Sequence, residues 1–383
     1  MQILGKQRYF KRYEYARRRC DLIEILNIRK YVHAFCQNVR YFHSGQIYEF
    51  REQIKKMMQC LMKVYAKELK SIKQSNSFRQ LYTSTRLFSN QISQNGATIE
   101  TNELAELMKP DHPENERLVI FNGTLIRRDY VPKEDHAKER IPGSLWFDFK
   151  TFCEQNTTLS YMMPTDEYFS GIMKSMDVRK SDLIVVYDKY RMISAPRAFW
   201  MLKTFGVKDV FLLNGTFAKW QREGRPIEKG DSESAWKKIH TIAAKPDDYN
   251  YKKDITKIRK FEEIDSIVSE NMQKPEELQQ PLLDSRVHKY YLRGHIPTSR
   301  SLALDEVMDK DFCYLKKDDM VKIIQSKGIK DPSKDKIILT CQRGITACIV
   351  DAAFKSIGNE NTSVYDGSFE EYAKIKGIEV HKE

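Results

Sequence analysis

No run of about 18 or more apolar residues occurs in the 383-residue chain, so no membrane-spanning helix is expected. Cysteine is sparse and unpaired in pattern: seven residues, an odd number, widely scattered and without a Cys-x-x-Cys pair. That argues for reduced thiols over a disulfide framework, and against a zinc site. The eight histidines do not cluster at ligand spacings, so no metal is expected. Acidic residues are scarce in one place only. Residues 1–99 hold 19 Lys and Arg against 6 Asp and Glu, whereas the remainder holds 46 against 47. The formal charge of +12 therefore belongs to an N-terminal extension, and a nucleic-acid-binding main body is not expected.

What remains is an ordinary globular composition, 41% hydrophobic and 31% charged, long enough for two domains with cores plus that extension. The chain is organised around residues 337–348, Ile-Ile-Leu-Thr-Cys-Gln-Arg-Gly-Ile-Thr-Ala-Cys. Residues 337–340 are β-branched or apolar throughout and predict a buried strand. Ala347, Ile349, Val350, Ala352 and Ala353 have helical periodicity. Cys341 thus falls between a strand end and a helix start, where backbone N–H groups lack partners and the helix dipole favours an anion. The thiolate is the nucleophilic form of cysteine. Gly344 permits the positive φ that lets such a loop curl, and Arg343 supplies a fixed cation two residues from the thiol. Thr346 could cap the following helix or bond to the loop.

The stretch resembles the Cys-x-x-Gly-x-Thr loop of the tandem-domain rhodanese sulfurtransferases. Residues 365–372, Tyr-Asp-Gly-Ser-Phe-Glu-Glu-Tyr, are similar to that family's Asp-Gly-Ser-aromatic segment, and Leu283-Asp284-Ser285-Arg286 and Gly294-His295-Ile296-Pro297 extend the match upstream. The resemblance implies that Cys341 takes a sulfane sulfur from a small anionic donor as a persulfide and gives it to a thiol or cyanide acceptor. It implies that Arg286 and Arg343 bind the donor, that Gln342, Gly344, Ile345 and Thr346 form the active-site loop, and that no metal or organic cofactor takes part. Members selective for 3-mercaptopyruvate usually carry Gly and then Ser or Thr where this chain has Gln342 and Arg343, which favours thiosulfate; 3-mercaptopyruvate is the alternative donor. Tyr290 stands where many tandem members place a second arginine. A dual-specificity phosphatase loop, Cys-x5-Arg, is excluded because position 347 is Ala347. In the Gly-His-Ile-Pro turn His295 is expected to be structural, and Cys348 on the following helix to be core.

An internal repeat lies upstream. Asn214-Gly215-Thr216-Phe217 echoes Asp366-Gly367-Ser368-Phe369, Ile193-Ser194-Ala195 echoes Ile345-Thr346-Ala347, and Arg140-Ile141-Pro142-Gly143 echoes His295-Ile296-Pro297-Thr298. From Ser194 to Asn214 and from Thr346 to Asp366 the spacing is 20 residues in both cases. A duplicated domain follows. The first copy has no cysteine in its loop. Asp188 or Lys189 stands at the nucleophile's place, and Lys189 and Arg191 are expected to lie in a solvated loop. Strands at 118–121, 183–187 and 210–213, with a helix over 194–205, predict parallel βαβ units with right-handed crossovers. A helix at 259–268 and a strand at 282–284 open the second copy.

The expected architecture is therefore α/β. It comprises a basic, helical or disordered extension over 1–110, a non-catalytic rhodanese domain over 111–230, a linker over 231–255 and a catalytic rhodanese domain over 256–383. Within the extension, 20–31 and 47–69 suit amphipathic helices. From Met57 onward the basic stretch, with Glu68 its single acid before Tyr82-Thr83-Ser84-Thr85, reads as a mitochondrial matrix presequence, as a docking arm for a larger complex, or as a solvated tail. A rhodanese-like subunit of a mitochondrial assembly is accordingly the alternative to a free enzyme.

Overall fold

The computed structural model describes residues 96–110, 112, 118–125, 132–230 and 246–378. The basic extension, with its expected helices, presequence-like stretch and docking arm, lies outside the described residues, as does 231–245 of the linker.

Two five-stranded parallel sheets carry the fold. The first contains β1 (Thr98–Ile99), β2 (Leu118–Asn122), β3 (Leu145–Trp146), β4 (Leu183–Tyr187) and β5 (Val210–Leu213), in the order β1-β5-β4-β2-β3. The second contains β6 (Ile258–Arg259), β7 (Leu282–Asp284), β8 (Arg300–Ser301), β9 (Ile337–Thr340) and β10 (Thr362–Tyr365), in the order β6-β10-β9-β7-β8. The two orders correspond strand for strand, which is the duplication seen in three dimensions. The central strands β4 and β9 read LIVVY and IILT and are buried along their whole length. A parallel strand covered on both faces needs such a continuous apolar run.

Helices cover the sheets. One from each copy, Ala195–Thr204 and Ala347–Ser356, pack together. Residues 347–355 are all buried, as are 195–202. A mostly apolar helix buried on every side belongs in an interior, and here the interior is the junction of the copies, where Arg197, Asp351 and Lys355 are buried with it. A single apolar cluster runs through that junction, from Phe121, Phe147 and Phe169 in the first copy to Ile337, Val350 and Phe354 in the second.

Two expected boundaries shift. The strand Thr98–Ile99 and the helix Thr101–Leu107 belong to the first sheet, with Ile99 paired to Leu213, although they fall in the stretch assigned to the extension. A two-residue edge strand is too short to show a period. Within the expected linker, Tyr251 is fully buried, donates its hydroxyl to the Val178 carbonyl at 2.8 Å and packs edge-on against Phe169, so this part belongs to the first core.

Candidate active site

Register places the second copy's motifs together. β7 lies beside β9 with Asp284 opposite Thr340, and β10 lies on the other side with Val364 opposite Leu339. The carboxyl ends of β7, β9 and β10 therefore bring Ser285-Arg286, Cys341 and Asp366-Gly367-Ser368 to one point. Ligands of open parallel sheets bind outside such strand ends.

Cys341 follows β9 directly and is 1% exposed, at the floor of the site instead of on its surface. Its N–H donates to Ser368 Oγ at 3.2 Å, and Ser368 Oγ lies 3.9 Å from the sulfur. The Cys341 carbonyl accepts the Phe369 N–H at 3.0 Å, and the Gln342 carbonyl accepts the Glu370 N–H at 3.0 Å. Gly344 curls the loop with φ +73°. A Cβ there would stand 2.6 Å from the Asp366 carbonyl oxygen, so only glycine fits. Ile345 is nearly buried, and its carbonyl accepts the Cys348 N–H at 3.2 Å. Thr346 takes the N-cap position of the helix without a side-chain capping bond: its hydroxyl meets Ser285 Oγ at 3.1 Å and joins the loop to the end of β7.

The two cations sit differently. Arg343 is half-exposed, with Nε 3.3 Å from Glu370 Oε1. Arg286 is buried. Its Nε and Nη2 fork onto Asp284 at 2.7–3.1 Å, Nη2 also reaches the Gly294 carbonyl at 2.8 Å, and Nη1 donates to Gln342 Oε1 at 3.2 Å. The guanidinium lies over the Phe369 ring at 4.3 Å. Most of its donors are taken up by protein, and Nη1 is the arm directed to the active-site loop. His295 holds the Tyr291 carbonyl at 3.0 Å and stacks on that ring, a structural position. Cys348 is fully buried, donates to the Gly344 carbonyl, and has its thiol pushed up by burial.

The first copy shows what the loop geometry can hold. Asp188 takes the place of Cys341: it follows β4 directly, and its carbonyl accepts the Phe217 N–H at 2.9 Å, as that of Cys341 accepts Phe369. The Asp188 carboxylate accepts the N–H groups of Ile193, Ser194 and Ala195, each at 2.8 Å, and the Ser194 hydroxyl at 2.7 Å. Burial pushes its pKa up to about 6 against the pull of those donors. An anion thus occupies the cradle. In the second copy the counterpart N–H groups, those of Ile345, Thr346 and Ala347, have no protein acceptor among the described residues. Lys189 is not solvated as expected. It is 1% exposed and bonds the Asp135 carboxylate and carbonyl at 2.5 and 2.9 Å. Arg191 is exposed and lies over the Phe312 ring.

The model of the rhodanese-like domain matches residues 126–223 and again 266–375, together more than half of the chain. The protein belongs to the rhodanese-like domain family. Among its relatives, the 3-mercaptopyruvate sulfurtransferase of Escherichia coli K12 is 29% identical over 268 residues, 68% of this chain and 91% of that protein. The mouse thiosulfate sulfurtransferase is 26% identical over 255 residues, 63% and 79% respectively. The crystal structure of a 3-mercaptopyruvate sulfotransferase from Escherichia coli aligns with a TM-score of 0.60 at 25% identity, over 72% of this chain and 99% of that one. The yeast mitochondrial complex I sub-stoichiometric sulfur transferase subunit aligns with a TM-score of 0.59 at 25% identity, over 72% and 95%.

Sequence reasoning gave no role to Arg197, whose guanidinium is fully buried and bonds both the Gly344 carbonyl and Asp366 in the second copy. The signal for it was an arginine near the start of a mostly apolar helix, APRAFWMLKT, whose other cation, Lys203, lies in the last turn. Ser368, quoted only as part of a motif, carries the hydroxyl beside the sulfur. Among the described residues no cluster of His, Cys, Asp or Glu is placed to hold a metal, and no helix is long and apolar enough to cross a membrane.

Proposed function

We propose that this rhodanese-family protein is a sulfurtransferase that carries a sulfane sulfur on Cys341, with thiosulfate as the donor. The observation that carries the reading is the pair of cradles. In one copy three loop N–H groups bind a resident carboxylate, and in the other their counterparts, in the loop that follows Cys341, have no protein acceptor among the described residues. An arrangement that holds a carboxylate anion also suits a thiolate or a terminal persulfide. The Cys341 thiolate attacks the outer sulfur of thiosulfate, the S–S bond breaks, and sulfite leaves with the bonding pair. An acceptor thiolate or cyanide then attacks the outer persulfide sulfur and releases the Cys341 thiolate. Both half-reactions are substitutions at sulfur that share one covalent enzyme form, so the kinetics are ping-pong. In this reading the loop N–H groups hold the anionic sulfur, Arg286 Nη1 and Gln342 orient the donor, and Arg343 at the half-exposed mouth attracts the dianion.

Relatives bear both donor names, and thiosulfate is favoured here by the cation at Arg343. Arg343→Gly is expected to raise KM for thiosulfate about tenfold while changing that for 3-mercaptopyruvate by no more than about twofold. Equal losses on both donors would count against a donor-selecting role for Arg343. A mitochondrial setting belongs to the same proposal, supported by the basic presequence-like stretch and by an Arabidopsis thaliana relative, 27% identical over 259 residues, whose name includes mitochondrial. A second reading, a subunit of a larger mitochondrial assembly, is favoured by the likeness to the yeast complex I subunit. Co-purification with a large complex, at or below one copy per complex, decides for it.

A further inference from the structure

The repeat makes one asymmetry visible. Ala195 and Ala347 are counterparts, so the counterpart of Arg197 on the facing helix is Ile349. From the first copy, Arg197 Nη1 donates to the Gly344 carbonyl at 3.1 Å, and Nη2 donates to Asp366 Oδ1 at 2.6 Å and to the Tyr161 carbonyl at 2.5 Å. The guanidinium lies over the Trp200 ring at 4.6 Å. Ties from a backbone N–H to a side-chain oxygen across the junction are present in both directions. Asp366 accepts the Met163 N–H at 2.8 Å, and its counterpart Asn214 accepts the Tyr314 N–H at 3.0 Å. Among the described residues a buried ion pair exists on one side only, over the cysteine loop; on the other side the pair of Arg222 with Asp311, at 3.2 Å, is exposed. Docking alone would not require that, and a buried ion pair is weak evidence for a stabilising role.

Gly344 explains the one-sidedness. Its carbonyl and the Ile345 N–H share one planar trans peptide, so fixing the carbonyl fixes the N–H in the opposite direction. The counterpart group, the Ile193 N–H, is held at 2.8 Å by the permanent carboxylate of Asp188. In the cysteine loop no resident carboxylate orients the peptide, and a peptide beside glycine rotates most readily.

We propose that Arg197 is a positioning residue for sulfur transfer: by gripping the Gly344 carbonyl from the other domain, it keeps the loop N–H groups directed to the Cys341 sulfur. The inference rests on Cys341 being the nucleophile. It makes the first domain part of the catalytic apparatus, because the grip exists only while the two copies are docked.

Two variants of the full chain test it. Arg197→Lys keeps a cation for Asp366 but lacks the planar fork that reaches three acceptors. The double variant Arg197→Met with Asp366→Asn removes both buried charges together, so neither is left unpaired. Folding is followed by far-UV circular dichroism and thermal melting, and turnover by steady-state kinetics with thiosulfate. The expected result is two folded proteins whose donor KM stays within about twofold and whose kcat falls at least about tenfold, with Arg197→Lys retaining the more activity. The inference is overturned by kcat within about twofold of wild type in both variants, by a loss carried by KM, or by both variants failing to fold. Wild-type protein treated with thiosulfate is the control. If it takes up no sulfur on Cys341, the nucleophile reading fails and the positioning role falls with it. If it does take up sulfur and the variants match its kcat, the positioning role alone fails.

Discussion

At the scale of single residues, the first copy shows the cost and use of buried charge. Its loop retains an anion, Asp188, and the same copy buries further polar groups, among them Lys189, Asp135, Arg140 and His136. His136 is 2% exposed, its Nδ1 lies 3.1 Å from Asn122 Nδ2, and its pKa is pushed down to about 4 by burial and by the charge of Arg140. The unfolded chain binds this proton as pH falls below the ordinary histidine value of 6.5, whereas the folded protein takes it only near 4. Stability contributed by the neutral ring is therefore present above 6.5 and lost as pH falls through the window to 4. Asp188, with its pKa raised to about 6, has the opposite sign: its contribution grows as pH falls from 6 towards 3.8. A difference measurement isolates the histidine. The stability of wild type relative to His136→Gln, from urea denaturation at each pH, should fall by up to about 3 kcal/mol between pH 7 and pH 4. A difference that stays constant across that range would mean the ring is not held neutral.

At the scale of elements, strand order does the assembly. Three neighbouring strands end together, and short segments after them supply the arginine, the cysteine and the serine. The chain then has to turn tightly after β9, and Gly344 is where that turn meets the backbone of the Asp366 segment. Gly344→Ala is expected to cost about 2 kcal/mol or more, because a Cβ would meet a carbonyl oxygen at 2.6 Å as well as adopt φ +73°. Gly358→Ala is the internal comparison. It shares a positive φ of +93° but has nothing within 4 Å of the added Cβ, so it should lose only about 1 kcal/mol. Thermal melting of the two variants separates close approach from conformation, and equal losses would remove the packing argument. Strands β2, β4, β5 and β9 were legible from sequence because a parallel strand buried on both faces is a near-continuous apolar run. The two-residue strands β1, β3, β6 and β8 carry no period and could not be read.

At the scale of the whole molecule, the duplication was legible because turns and loop ends repeat at fixed spacing. The resemblance of the second copy's loop to a rhodanese site was legible because Cys341, Gly344 and Thr346 are close in sequence. What joins the copies was not. Arg197 is 147 residues from Gly344 and 169 from Asp366, and nothing local marks a contact of that range. Nor did sequence separate Asp188 from Lys189 as the cysteine's counterpart, since the first loop is one residue longer. Only the shared bond to Phe217 and Phe369 settles the alignment. The two copies divide the work: one holds the Asp188 carboxylate in its loop and sends an arginine across the junction, and the other places Cys341 at the corresponding strand end. The most direct test of that account is the mass of the intact protein after treatment with thiosulfate. A gain of one sulfur atom in the wild type, absent in Cys341→Ser and reversed by cyanide, is the predicted result. No gain in the wild type, or a gain that survives Cys341→Ser, would contradict it.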